Sequence, residues 1–493
     1  MEAREEQVTS SLTEESDSLD LRESVNSMRR RIFMQFLLVF GASLGHIGVA
    51  VVASWPNPAI PELQSNKTDI FGNYITLNPW QLDMLGSMVS IGNLPGTWLW
   101  GWMVAVLGRK RSIMLLLVPY TIGWGLVAFS SNAIIMLSGR LIHGICVGAT
   151  FVSASTYIIE LPDASVRGAM ALIPNFMLSL GFILTSGLGL SLRWYEIAFV
   201  GESIAIMFWI IMVFLPESPS FLAIKGSEEE ALSVLRRLRG QWVNLAEEMQ
   251  SLRNQNEDKL QKPLYATLRD SDILKSLVII IVLFFIQNFC GLMVFYVNMT
   301  RIFLEAGSTL NEYVSTVLVF LVQAAGNLLA CLYLDRLGRK PCLIFSLVIM
   351  TVCLVVMAIY HHLKDLQESV ITEVFNNSTE FPTVGTLTVR TDGMKAWVPL
   401  LCLMVYMFVS SIGAGPVPSL LNSEYFPTAV RSQLSGLCMA IGGVFNFAAL
   451  QLFSPLHEML TIAGLFWFYA SVSIMGVVFT LLCVRETKGV AVG

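Results

Sequence analysis

Asp335-Arg336-Leu337-Gly338-Arg339-Lys340 stands between two long apolar runs, and its last three residues repeat Gly108-Arg109-Lys110, found 230 residues earlier in the same setting. A second match keeps step with the first. Glu160 to Arg167 recurs as Glu424 to Arg431, with the same spacing of seven and a proline inside each copy. The glycine-to-glutamate distance is 52 residues in the first copy and 86 in the second, and the surplus of 34 falls in a polar stretch near 362–396. The chain is therefore two similar halves in the same order, the arrangement by which membrane carriers build a central cavity between repeats.

Working outward, the runs on either side of these motifs are apolar over lengths that suit a bilayer. Of the whole chain 54% is apolar and 14% charged, and the mean hydropathy of +0.65 lies outside the range of soluble domains. The runs predict helices over 32–54, 82–106, 112–130, 134–158, 169–190 and 197–215, then over 274–300, 313–334, 342–361, 397–421, 432–454 and 460–484. Membrane strands would be about 10 residues long and alternate in polarity. The fold class is thus all-α, with twelve transmembrane helices in two six-helix pseudo-repeats. The division is a disordered, acidic, Ser-rich tail (1–31), a first half (32–215), a linker (216–273), a second half (274–484) and a short tail (485–493).

Topology follows from charge. With the N-terminus inside, 24 of the 31 Lys and Arg fall on the cytoplasmic side, 6 fall outside, and Arg140 lies within the fourth span, which satisfies the positive-inside rule. Glycosylation sequons choose the same orientation: Asn66-Lys67-Thr68 lies in the first outer loop, and Asn376 and Asn377 begin overlapping sequons in the fifth. Asn298-Met299-Thr300 ends the seventh span, too close to the membrane for modification. No cleavable signal peptide precedes Arg29-Arg30-Arg31, and no sorting signal is visible in the tail, so a multi-pass protein of the cell membrane with both termini cytoplasmic is expected.

The net charge of -5 argues against a nucleic-acid partner. In the linker, Ser227-Glu228-Glu229-Glu230 and Asn244-Leu245-Ala246-Glu247 are capping-box patterns, with Leu232, Leu235 and Leu238 behind the first, so short cytoplasmic helices are expected. That segment holds no His and no Cys, which argues against an enzymatic domain there. No catalytic set, metal site or cofactor is indicated. All eight cysteines lie within or at the ends of apolar runs and read as packing residues.

Taken together, Gly338-Arg339-Lys340, Pro216-Glu217-Ser218-Pro219, Gly415-Pro416-Val417-Pro418, Glu424-Tyr425-Phe426-Pro427 and Arg485-Glu486-Thr487-Lys488-Gly489 resemble the motifs of the sugar porters of the major facilitator superfamily. The resemblance runs from about residue 32 almost to the end. Through Trp55-Pro56-x-Pro58 it extends to the insect facilitated trehalose transporters. It implies alternating access with a sugar as solute, mono- or disaccharide, by facilitated diffusion, in a protein functional as a monomer with the bilayer as its surroundings. It also implies a gating network of Arg109, Glu160, Arg167, Glu217, Asp335, Arg339, Glu424, Arg431 and Glu486, able to pair across the seam when the inner gate is shut. Simple topology-setting would explain the basic residues but not the repeated glutamates. Ala105 and Val106 stand where that family has Asp and Arg.

Matching to the family's sugar-binding amides implicates Gln287, Asn288, Asn175, Gln323 and Asn446, because an amide both donates to and accepts from hydroxyls. Helix-to-helix hydrogen bonding is the alternative use of such residues. At the third amide of the seventh-span motif stands Met293, Ser411 replaces a usual Glu, and Ser419 and Gly443 occupy positions of ring-stacking aromatics. A wider pocket or a non-sugar solute would fit these changes. Ser43 matches the Asp of proton-coupled members, which favours facilitated diffusion, while His46 keeps proton-coupled symport open. A sensor of the same fold is the rival class, disfavoured because only about nine residues follow a last span of the expected length.

Overall fold

Each apolar run folds as a helix in the computed structural model, which describes residues 28–29, 31–65, 68–163, 166, 170, 173–225, 227–239, 271–307, 310–377, 397–426 and 431–487. Among the described residues, ten helices are long and apolar enough to cross a membrane. They are Arg31–Gln64, Arg109–Ala128, Ala133–Glu160, Trp194–Phe214, Ile273–Ala306, Glu312–Leu334, Arg339–Gln367, Val398–Glu424, Gln433–Gln451 and Phe453–Cys483. Two more occupy the second and fifth positions: Pro79–Leu107, 29 residues rich in Gly and Trp, and Ile173–Leu188, an apolar helix of 16. Large apolar side chains such as Trp98, Phe214 and Leu482 stand exposed along these helices, as expected where the solvent is lipid. Polar side chains are drawn inward, with Arg140, His143, Gln323 and Asp83 all buried.

Each half has its own core. One is built on Trp55, Trp124, Tyr157 and Trp194, the other on Phe295, Phe320, Tyr406 and Phe466. In the first half the second and fourth spans approach to backbone contact. A Cβ on Gly144 would lie 2.7 Å from the Cα of Gly92, and one on Gly96 would lie 2.7 Å from the Cα of Ile145. Small residues spaced four apart are how membrane helices reach such separations, and they account for the low apolarity of the second span.

Several boundaries differ from the sequence reading, for local reasons. The first span turns at Trp55 and continues as Pro56–Gln64, whose proline at the first position favours a new helix start. The seventh is two helices, Ser271–Phe289 and Leu292–Ala306, separated at Gly291, which adopts φ 97°. The tenth is likewise Val398–Ile412 and Val417–Glu424, interrupted at Gly413-Ala414-Gly415-Pro416. Hydropathy averaged over a whole span does not register such breaks, because a few glycines and prolines are outweighed by their apolar neighbours. The ninth helix extends to Asn377, well into the expected outer loop, and the twelfth begins at Phe453 and kinks at Thr461.

In the linker, Glu228–Arg239 is helical and buries Ala231 and Leu235. Gln35 of the first span clasps it, donating to the Leu238 carbonyl at 3.0 Å while accepting from the Asp163 amide at 3.1 Å. The second capping box, residues 1–27 of the N-terminal tail and Asn66 lie outside the described residues, as does Arg167. So do the side chains of Asp335, Asn376, Asn377 and Arg431. Seven cysteines are free thiols, five of them buried.

Candidate functional site

The breaks in the seventh and tenth spans face each other, and the groups they free are satisfied by side chains. Gln287, one turn before Gly291, donates its amide to the carbonyls of Ala414 at 3.1 Å and Gly415 at 2.6 Å. Tyr406 returns the tie, donating its hydroxyl to the Cys290 carbonyl at 3.0 Å. From the ninth span Ser346 donates to the Val409 carbonyl at 2.7 Å and accepts from the Ala414 amide at 3.2 Å. Irregular backbone at membrane depth is tolerated only where such partners or a cavity receive it. The amide N–H groups of Gln287 thus serve the broken helix, which leaves its carbonyl oxygen uncommitted.

Gln323 of the eighth span is placed differently. It is 2% exposed, and its N–H₂ donates to the Tyr296 hydroxyl, leaving Oε1 buried without a partner. Tyr296 stacks with Phe320 and packs on Phe182 of the fifth span, with ring centroids 6.2 and 4.9 Å apart. These flat faces were missed by the sequence reading, which looked for aromatics only at Ser419 and Gly443. The other amides divide. Asn288 donates to Phe284 within its own helix at 2.7 Å, Asn175 is exposed, and Asn446 keeps an unpartnered buried Oδ1. Ser43 donates to the Val39 carbonyl, and His46 packs edge-on against Phe151 with Nδ1 unpartnered. Arg140 donates to the carbonyls of Leu85 and Val52 and lies over the Trp55 ring.

At the end carrying the Gly-Arg-Lys motifs, two charge clusters of the same design appear, one per half. Gly108 and Gly338 both adopt φ 98°, turning the chain so that a new helix starts at the following arginine. A carboxylate caps each start. Glu217 accepts from the amides of Arg109 and Lys110 at 3.0 Å, and Glu486 from those of Arg339 and Lys340 at 3.0 Å, where the helix dipole favours negative charge. Arg109 then pairs with Glu160 at 2.7 Å and Arg339 with Glu424 at 2.9 Å. The hydroxyls of Ser218 and Thr487 donate to those same glutamates. Lys110 and Lys340 close the C-terminal carbonyls of Val213 and Leu481 at 2.8 and 3.0 Å. Each described pair stays within its own half in this state. The hydroxyls and lysines had not been singled out, although Pro216-Glu217-Ser218 against Arg485-Glu486-Thr487 carries that signal.

Hydrogen bonds that cross the seam between halves cluster at the opposite end. Asn57 donates to the Tyr296 carbonyl at 2.5 Å, Ser87 to Gln451 at 2.6 Å, and Gln451 to the Trp80 carbonyl at 3.2 Å. Asp83 accepts from the amide and hydroxyl of Ser454, both at 2.8 Å, and lies 3.8 Å from Arg301. Midway, Asn327 donates to Ser179 at 2.9 Å.

Comparison with known proteins places this geometry. The family model described as "Sugar (and other) transporter" matches residues 57–492. Facilitated trehalose transporters Tret1 of Bombyx mori and Apis mellifera ligustica are 29% and 28% identical, over 94% and 93% of this chain and 86% and 87% of theirs. Among solved structures, the xylose transporter XylE from E. coli in a partially occluded inward open conformation superposes with a TM-score of 0.73 at 19% identity. That superposition covers 93% of this chain and 99% of the other, and shares the fold.

Proposed function

The chain belongs to the sugar (and other) transporter family, and on that footing we propose that it carries a sugar across a membrane by alternating access and facilitated diffusion. The observation that carries the reading is the pair of broken helices, with Gln287 bridging them and Gln323 offering a buried, unpartnered oxygen beside the rings of Tyr296, Phe320 and Phe182. Discontinuous helices at the repeat interface are where carriers of this kind hold their solute. An uncharged polyol needs acceptors for its hydroxyls and flat apolar faces for its C–H edges, and this corner supplies both. The relatives named for trehalose support a disaccharide.

In this reading the Gly-Arg-Lys end is cytoplasmic, the protein sits in the cell membrane as a monomer with both termini inside, and Asn66 and Asn376 or Asn377 lie outside. The structure is then the state closed on the outer side, because the seam's hydrogen bonds cluster there. When the inner side closes, the two charge clusters approach. The gating network, Arg167 and Arg431 included, would then pair across the seam. A non-sugar polar solute is the second reading, favoured by the small residues Ser419 and Gly443; a Cβ at 443 would lie 3.1 Å from Leu94 of the second span. Uptake of labelled trehalose, hexoses and non-sugar polar solutes into proteoliposomes separates the two, and a protonophore added during uptake tests the coupling. Uptake that follows the sugar gradient and survives the protonophore is expected; abolition by the protonophore overturns facilitated diffusion and points to His46.

A further inference from the structure

The interior of a seam that must open and close is an expensive place for a carboxylate, yet Asp83 sits there with its side chain wholly buried. It is contributed by the first half, and its described partners all come from the second. Ser454 supplies two donors at 2.8 Å, one of them a backbone amide in the first turn of the twelfth helix, where N–H groups attract anions. Arg301 supplies the counter-charge at 3.8 Å. That arginine is itself held in place, donating to Ser454 Oγ at 3.3 Å and to Glu305 at 3.2 Å, with its guanidinium 5.0 Å from the centre of the Phe453 ring. Glu305 is braced in turn by His457 at 3.8 Å and, through its carbonyl, by Lys364 at 2.7 Å. The second half thus presents a rigid socket, and the first half inserts one charge.

We propose that Asp83 and its socket of Arg301 and Ser454 are the lock of the outer gate, positioning residues that set how the carrier divides its time between its two open states. Helix glue within one half would remain intact through the cycle. This contact instead must break whenever the halves part at this end, since Asp83 is on the second span and Arg301 and Ser454 are on the seventh and twelfth. Removing one member of a buried, hydrogen-bonded charge pair destabilises the state that buries the other. Loss of the carboxylate therefore weakens the closed outer gate and leaves the open one, where both charges meet water, little changed. Differential stabilisation of one state is the sole way a contact can shift such an equilibrium. The socket also lies one to two turns beyond Tyr296 along the seventh span, directly outside the proposed solute corner.

The inference rests on the carrier reading but not on the identity of the solute, so its first test uses none. Val297 lies on the seam against Gly86, where a Cβ would come within 2.6 Å of its side chain, and Val297→Cys reports parting of the halves. A membrane-impermeant thiol reagent applied from outside is compared in the Val297→Cys background with and without Asp83→Asn, and against protein lacking the reporter. Asp83→Asn should raise the labelling rate about fivefold or more, the usual size of a coupling between sites. Ser454→Ala, which removes one donor and spares the ion pair, should raise it less and serves if the first variant does not reach the surface. Once a solute is in hand, Asp83→Asn should lower half-saturation measured from outside and raise it from inside, because each is scaled by the fraction of carrier facing that way. Labelling unchanged by both variants, or half-saturation moving in the same direction from both sides, overturns the lock.

Discussion

Replacing Gln287 and Gln323 one at a time should separate two jobs that the sequence merges into one motif. Gln287→Ala removes two hydrogen bonds, to the carbonyls of Ala414 and Gly415. Neutral bonds contribute about 0.5–1.5 kcal/mol each, and polar bonds between membrane helices average nearer 0.6 kcal/mol, so a loss of about 1–2 kcal/mol is expected. For a unit the size of one half, that lowers the melting midpoint by about 2–8 °C. Gln323→Ala instead removes a buried, unpartnered acceptor in the corner together with the bond to Tyr296. Its signature should be a rise in half-saturation of roughly 2–13-fold, with a smaller change in melting. Thermal unfolding of purified protein, followed by loss of the monodisperse chromatographic peak, gives the first quantity. Uptake normalised to surface protein gives the second. The reasoning fails if Gln287→Ala melts as the native protein does, or if Gln323→Ala leaves both half-saturation and maximal uptake unchanged.

Other perturbations test the scaffold around that corner. Gly108→Ala should cost about 1–2 kcal/mol for the positive φ alone, and its Cβ would meet Glu217 at 2.6 Å; the expected outcome is lower surface expression, matched by Gly338→Ala and read by flow cytometry. Gly144→Val should force the second and fourth spans apart and destabilise by about 1–3 kcal/mol or more, as overpacked cores do, so little folded protein should survive detergent extraction. Glycosidase treatment should shift the gel mobility of protein from secretory cells, and Asn66→Gln with Asn376→Gln and Asn377→Gln together should abolish the shift; no shift in the native protein refutes the outward placement of both loops.

Much of the fold was legible because its signals are periodic or repeated. Run length and the 230-residue offset of Gly108 to Gly338 pointed to helical halves without any contact information. The breaks at Gly291 and Gly413 were not legible, since a hydropathy average sees glycine as part of an apolar run. Within the candidate site, residue type identified Gln287 and Gln323 but could not say which hydrogens were already committed, because the acceptors that Gln287 serves lie 127 and 128 residues further along the chain. Asp83 was passed over for another reason. Its partners Arg301 and Ser454 are more than 200 residues away, and it has no counterpart in the repeat. Phe182, Tyr296 and Phe320 were hidden similarly, as three aromatics on three spans in a chain where aromatics are common.

The duplicated clusters have a consequence in terms of ionic strength. Arg109 with Glu160, and Arg339 with Glu424, each belong to one half, so their mutual Coulomb energy is present before and after the halves rock and cancels from the difference between states. Dissolved ions screen exposed charges over about 8 Å at physiological ionic strength, and whatever they subtract from these pairs they subtract twice. Electrolyte acts unevenly only where a pair exists in one state and is hydrated in the other. Ionic strength therefore bears on the partition between the two faces through contacts that one state alone contains, Asp83 with Arg301 among them, and not through the pairs held within each half.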